Sequence, residues 1–258
     1  MKMRIAVLGA MLFTVVSMSV SNLSASSTSE IDAENYLTID EVELYEMVDG
    51  HAVLVDRQPI VEPTLVPQSV PTASPTPGTQ LPPTGGIDLG QVIALGEKIW
   101  AIIEKNKPVV TQNYSAVSAV PAGIKTWEEL TGWSEPVIRV YKLSYVNKFK
   151  QHVVDFDFRV AYTYNGGYEG KGKYLSRVEI DPSILNVMWG YKFNASGEAL
   201  NIVNVGTKEA PIAAMEIRLN WSVDTVIKHM QQSVRFYIRG DGLFKNISDG
   251  TTAPSVKD

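Results

Sequence analysis

Val153-Val154-Asp155-Phe156-Asp157-Phe158-Arg159-Val160-Ala161-Tyr162-Thr163-Tyr164 is the stretch that decides the fold. Val154, Phe156, Phe158, Val160, Tyr162 and Tyr164 take every second position, and Asp155, Asp157, Arg159, Ala161 and Thr163 fill the gaps. A strand sends successive side chains to opposite faces, so this period of two gives one apolar and one mostly polar face. Asn165-Gly166-Gly167 then tolerates positive φ, and the alternation resumes with Tyr174, Val178 and Ile180. The spacing predicts a long antiparallel hairpin over 153–180 with a glycine-rich tip. Such a pair is marginal alone in water, so the rest of the chain must cover its apolar face.

Working outward, the same period recurs. Val137, Arg139, Tyr141, Leu143 and Tyr145 alternate with Ile138, Val140, Lys142 and Ser144 upstream. Downstream, Leu185, Val187, Trp189, Tyr191 and Phe193 share one face of a strand, and Ile202, Val203 and Val205 follow. Ala213, Met215, Ile217, Leu219, Trp221 and Val223 form another long run, and Val234, Phe236 and Ile238 close the set. Turn signals separate these runs, which predicts an all-β fold: an antiparallel β-sandwich of about seven or eight strands over 109–247. The polar tail, 248–258, is expected to fray.

One segment shows a different period. Leu89, Val92, Ile93, Gly96, Ile99, Trp100 and Ile103 follow an i, i+3, i+4, i+7 stripe, with Asp88 as a cap and Pro108 as a stop. This predicts an amphipathic helix over 87–108 that covers one side of the sandwich. Insertion of that helix into a membrane is the less favoured reading, because its polar face carries few cations before its end.

The N-terminal third has its own composition. Lys2 and Arg4 precede an apolar run over 5–16, and Leu23-Ser24-Ala25 offers small residues for cleavage. The run is too short to span a bilayer, so 1–25 is expected to be a signal peptide and the protein to be exported, periplasmic or extracellular. Ten acidic residues against Arg57 alone occupy 26–62, which makes 26–58 an acidic segment. Within it, Thr38-Ile39-Asp40-Glu41 resembles a capping box for a short helix, whereas Val42, Leu44, Val53 and Val55 around Asp49-Gly50 suit a hairpin. Both readings stand at this point, and the acidic segment is expected to be largely disordered ahead of the sandwich, with this short piece either docked on the main domain or loose. Eight of the 14 prolines fall in 59–83, so 59–86 is read as an extended linker.

The chain contains no cysteine, which excludes disulfides, thiol catalysis and Cys-ligated zinc. The folded part is nearly neutral and carries no basic stripe, so nucleic acid is not an expected partner. Gly167-Tyr168-Glu169-Gly170-Lys171-Gly172-Lys173 matches a phosphate-binding loop for seven positions, but Tyr174 stands where the Ser or Thr belongs and no helix follows. His51, His152 and His229 form no metal-ligand spacing, and no Gly-x-Ser-x-Gly elbow accompanies them. No catalytic residue, metal site or cofactor is assigned.

The candidate ligand-binding residues are Trp127, Trp133, Asp155 and Asp157. Asp155 and Asp157 share the polar face of their strand about 7 Å apart, a spacing that suits a shared cation or sugar hydroxyl. The stronger reading pairs them with Lys173 or Arg177 across the hairpin. Trp189 and Trp221 are in phase with apolar faces and are expected in the core, whereas Trp127 and Trp133 fall in a loop region and are freer to stack on a ligand. The best functional class is a non-enzymatic exported protein with a structural role or one of binding a ligand or envelope component. The alternatives are a membrane-active protein using the 88–107 helix, and a hydrolase acting on envelope polymers.

Overall fold

The computed structural model describes residues 22–59, 86–96, 99–103 and 116–247. The start of the signal-like segment, the Pro-rich stretch 60–85 and the tail from 248 lie outside these residues. One α-helix, α1 (Asn22–Leu37), precedes twelve strands among the described residues. These are β1 (Ile39–Val48), β2 (His51–Pro59), β3 (Asp88–Leu95), β4 (Ile99–Ile103), β5 (Val117–Ala122), β6 (Val137–Asn147), β7 (His152–Tyr168), β8 (Lys171–Val187), β9 (Lys192–Asn204), β10 (Ala213–Asp224), β11 (His229–Arg239) and β12 (Phe244–Asn246). They form two antiparallel sheets, ordered β2-β1-β6-β7-β8-β5-β3 and β12-β11-β10-β9-β4.

The period-two runs build both sheets. Tyr141, Leu143 and Tyr145 of β6 stand opposite Phe158, Phe156 and Val154 of β7. All six are buried, and so are Met215, Ile217, Leu219 and Trp221 of β10, on the facing sheet. The core is rich in aromatic rings: Phe156 lies 4.9 Å from Phe193 and Tyr141 lies 5.0 Å from Phe236, centroid to centroid. These pairs join the two sheets. A buried polar tie joins them as well, because Trp221 Nε1 donates to the Tyr145 hydroxyl at 2.7 Å and that hydroxyl donates to Gln232 at 2.5 Å.

The helix expected over 87–108 is not formed where it is described. β3 pairs with β5 in the first sheet and β4 pairs with β9 in the second, so the chain changes sheets between them. Gly96 makes that corner possible. Its φ is +99°, and a Cβ there would lie 2.2 Å from the carbonyl oxygen of Ala116. The segment carries Val92 and five isoleucines, and their branched side chains suit a pleated sheet better than a helix. An apolar stripe with a helical period was outweighed by ladder bonds to two strand edges. The reading of a membrane-active helix loses its element with this correction. The α-helix among the described residues lies at the N-terminal side instead, and the expected cleavage site at Leu23-Ser24-Ala25 falls at its start.

The open question over 38–56 closes in favour of the hairpin. β1 and β2 turn at Asp49-Gly50, both at positive φ (50° and 79°), as a tight two-residue turn requires. β1 also pairs with β6 along Ile39 to Met47, so the acidic segment is an integral part of the first sheet.

The central hairpin is longer than expected. Tyr168 pairs with Lys171, and the turn is Glu169-Gly170 rather than Asn165-Gly166-Gly167. Those three residues lie within β7 at an irregular register. A Cβ at Gly166 would lie 2.3 Å from the Trp133 ring, so glycine is required there by packing, not by a turn. The run from Leu185 to Phe193, read as one strand, is broken at 188–191 into the end of β8 and the start of β9.

Candidate functional site

Strand directions bring three turns to one end of the sandwich: 147–151 between β6 and β7, 188–191 between β8 and β9, and 225–228 between β10 and β11. α1 ends at the same place, since Ile39 pairs with Asn147.

Each turn is held by its own hydrogen bonds. Asn147 is fully buried, and its side-chain oxygen accepts from the amides of Phe149 and Gln151, both at 3.0 Å. The amide of Tyr191 donates to Met188 O at 3.2 Å and the amide of Met188 to Val153 O at 2.9 Å. Thr225 Oγ1 accepts from the Lys228 amide at 3.0 Å, and the Thr225 amide donates to Lys228 O at 2.8 Å.

The last residues of α1 connect two of these turns. The Tyr36 carbonyl accepts from Asn147 Nδ2 at 3.1 Å and from the Tyr191 hydroxyl. Burial pushes the Tyr191 hydroxyl up to about 12, so it remains a donor at neutral pH. The Tyr36 hydroxyl donates to Trp189 O at 3.0 Å, and its ring meets the Tyr191 ring edge-on at 5.8 Å.

This scaffold presents apolar side chains to solvent. Trp189 is 85% exposed and Val226 is also 85% exposed. Ile227, Met188 and Phe149 are exposed as well. A cleft of about 540 Å³ lies between two of the turns, lined by residues 187–192 and 224–226. On its wall Asp224 engages His229 Nδ1 through one oxygen and Asn194 Nδ2 at 3.3 Å through the other. The arrangement offers an aromatic face, an apolar rim and one carboxylate–imidazole pair.

The residues expected to bind ligand fall elsewhere. Trp127 and Trp133 do come together, edge to face at 6.1 Å, but both are half-buried and packed against the core. Trp133 donates to Leu130 O at 3.1 Å and its ring lies over Gly166, toward the far end of β7 from Trp189. Asp155 and Asp157 share the outer face of the first sheet. Asp155 accepts from Ser144 and lies 3.3 Å from Lys142. Asp157 is opposite Lys142 in register, so the nearby cation comes from β6 and not from Lys173 or Arg177 as expected. Burial raises the Asp157 carboxyl above its ordinary range; Lys142 opposes the shift and Asp155 adds to it. Its Oδ1 is buried without a hydrogen-bond partner among the described residues. No group of three His, Asp or Glu positioned to hold a metal occurs among the described residues.

Trp189 is the residue whose placement reverses its expectation. It is in phase with its neighbours only if the strand continues, and the turn at 188–191 removes it from that phase. Gly190, at φ +88°, was the available signal. Val226 and Ile227 carried a similar one, two apolar residues set between two alternating runs.

No family model, characterised protein or solved structure matches the chain.

Proposed function

We propose that the protein is an exported, non-enzymatic β-sandwich that binds an envelope component through the end where Tyr36, Trp189 and Val226 meet. The observation that carries this reading is the 85% exposure of Trp189 on a turn whose backbone is fixed to α1. An indole left in water on a rigid support forgoes a large burial energy, and such residues are typical anchors of binding surfaces. The adjoining cleft and the exposed Val226 and Met188 extend the apolar area beyond a single side chain. Export is supported by the basic start, apolar run and small residues of the N-terminal segment.

The test is retention of purified protein on three immobilised probes: envelope polysaccharide, peptidoglycan sacculi and phospholipid vesicles. Trp189→Ala is expected to abolish retention on the probe that holds the wild type, with an unchanged thermal midpoint. Equal retention of variant and wild type on every probe would overturn the reading. A hydrolase remains the second reading, favoured by the Asp224–His229 pair on the cleft wall. It requires that polymer fragments appear on incubation and that Asp224→Asn stops their release.

A further inference from the structure

We infer that the binding end seats on the headgroup–acyl boundary of an anionic phospholipid layer, an inference that rests on the binding reading above and names its partner. The three turns carry five exposed apolar side chains, Phe149, Met188, Trp189, Val226 and Ile227. They come from three separate connections that strand direction places at one end, where Met188, Trp189 and Val226 rim the cleft.

Charge supplies the second observation. Residues 147–151, 188–192 and 225–229 read NKFKQ, MWGYK and TVIKH, with four lysines and no carboxylate. The exposed apolar residues of each turn stand within four positions of a lysine. Lys150 is engaged by Asp40 and Glu41, and the nearest cleft carboxylate, Asp224, is engaged by His229 and Asn194. Lys148 and Lys192 are exposed beside the apolar tips. Exposed apolar tips with the ammonium groups of Lys148 and Lys192 beside them complement an anionic bilayer: the tips enter the acyl boundary, the two lysines meet the phosphates, and the indole occupies the interface. A sugar would ask for free polar groups beside the ring, whereas Met188 and Val226 flank Trp189 on the cleft rim and the wall carboxylate, Asp224, is already engaged by His229 and Asn194. The turns are also braced by hydrogen bonds from Asn147, Thr225 and Tyr36, so little ordering entropy remains to be lost on docking.

Because the chain has no cysteine, one can be placed at will. The full-length protein carrying Val226→Cys is labelled with an environment-sensitive fluorophore, and a second preparation carries the same label through Glu169→Cys at the hairpin tip on the opposite end. The control at 169 separates insertion of the end that carries residue 226 from lipid contact made elsewhere on the protein. With phosphatidylglycerol–phosphatidylcholine vesicles, the label at 226 is expected to brighten, shift to the blue and be quenched by spin-labelled lipid, while the label at 169 stays unchanged. Vesicles of phosphatidylcholine alone should give a much weaker response. Combined Lys148→Glu and Lys192→Glu should weaken the apparent vesicle affinity by at least about tenfold, given roughly 1 kcal/mol for each charge near such a surface. Identical responses at 226 and 169, or none at 226, would overturn the inference. A label at 226 that is silent with vesicles yet responds to envelope polysaccharide would sink the lipid partner and leave the binding reading standing. Silence with every probe would remove both.

Discussion

The Tyr36 hydroxyl donates to the carbonyl oxygen of Trp189 at 3.0 Å, joining residues 153 positions apart in sequence. The same tyrosine accepts, at its own carbonyl, from Asn147 and from Tyr191. One residue at the end of α1 therefore holds two of the three turns that present the exposed apolar face. Contacts this far apart in sequence form only once the sheets have assembled, so the candidate site is a product of the tertiary fold and not of any local motif.

Tyr36→Phe keeps the ring against Tyr191 and removes only the bond to Trp189. Stability should fall by about 0.5–1.5 kcal/mol, the usual net contribution of one hydrogen bond. Amide hydrogen exchange at 188–191 should quicken while the strands keep their protection. Exchange that is unchanged there would mean that the turn is braced by Met188 and Gly190 packing without Tyr36.

Tyr145→Phe tests the tie between the sheets. The hydroxyl serves Trp221 Nε1 and Gln232 together, and its loss strands a buried donor and a buried acceptor. Each stranded group costs about 1–3 kcal/mol. The denaturant midpoint should drop accordingly with an unchanged slope. A near-wild-type midpoint would show that water or a rotated Gln232 takes the hydroxyl's place.

Phe158 and Ile138 lie on the inner and outer faces of neighbouring strands. Phe158 is fully buried between Tyr141 and Phe156, whereas Ile138 is 58% exposed. Phe158→Ala should cost about 3–5 kcal/mol through lost burial and a cavity. Ile138→Ala should stay within about 0.5 kcal/mol, as surface changes usually do. Similar effects at the two positions, read by urea unfolding, would contradict the face assignment.

The fold was legible where one face is dry and the other wet. Val154 to Tyr162 and Met215 to Val223 alternate because a buried sheet face forces the period, and no other arrangement satisfies it. The segment with Leu89, Val92 and Ile93 misleads for the opposite reason. Every β3 residue from Val92 to Leu95 is half-buried, so neither face is marked and a helical stripe emerges by spacing alone. The site was less legible still. Trp189 and Trp221 look alike in their runs, and only a turn, tied to Tyr36 from far upstream, sends one outward and the other in. Trp127 and Trp133 failed as a platform because a loop position says nothing about what the loop packs on, here Gly166.

Gly166→Ala isolates that packing. The added methyl would sit 2.3 Å from the Trp133 ring, and the ring must move off β7 to admit it. A cost of about 1–3 kcal/mol is expected, typical of overpacking. In a Trp133→Ala background the same change should cost much less, because the obstructing ring is gone. Equal costs in both backgrounds would point to backbone strain at the irregular register in place of a ring clash.

Asp157→Asn reads the electrostatics of the first sheet's outer face. Burial raises the folded-state pKa of Asp157 above its ordinary value, and the attraction of Lys142 does not cancel it. The folded protein therefore holds this proton to a higher pH than the unfolded chain does. Stability must fall as pH rises between the two values, and at neutral pH the ionised carboxylate opposes folding. Asparagine removes that penalty and keeps the shape, while Lys142 retains Asp155 at 3.3 Å. The variant should thus match or exceed wild type in denaturant midpoint at neutral pH, and its advantage should vanish as pH drops below the ordinary aspartate range. Glu179 and Asp181, also raised chiefly by burial, stay in place, so a residual slope of the same sign should persist in the variant. A variant less stable than wild type at neutral pH would mean that the pull of Lys142 on Asp157 outweighs the cost of burying its charge.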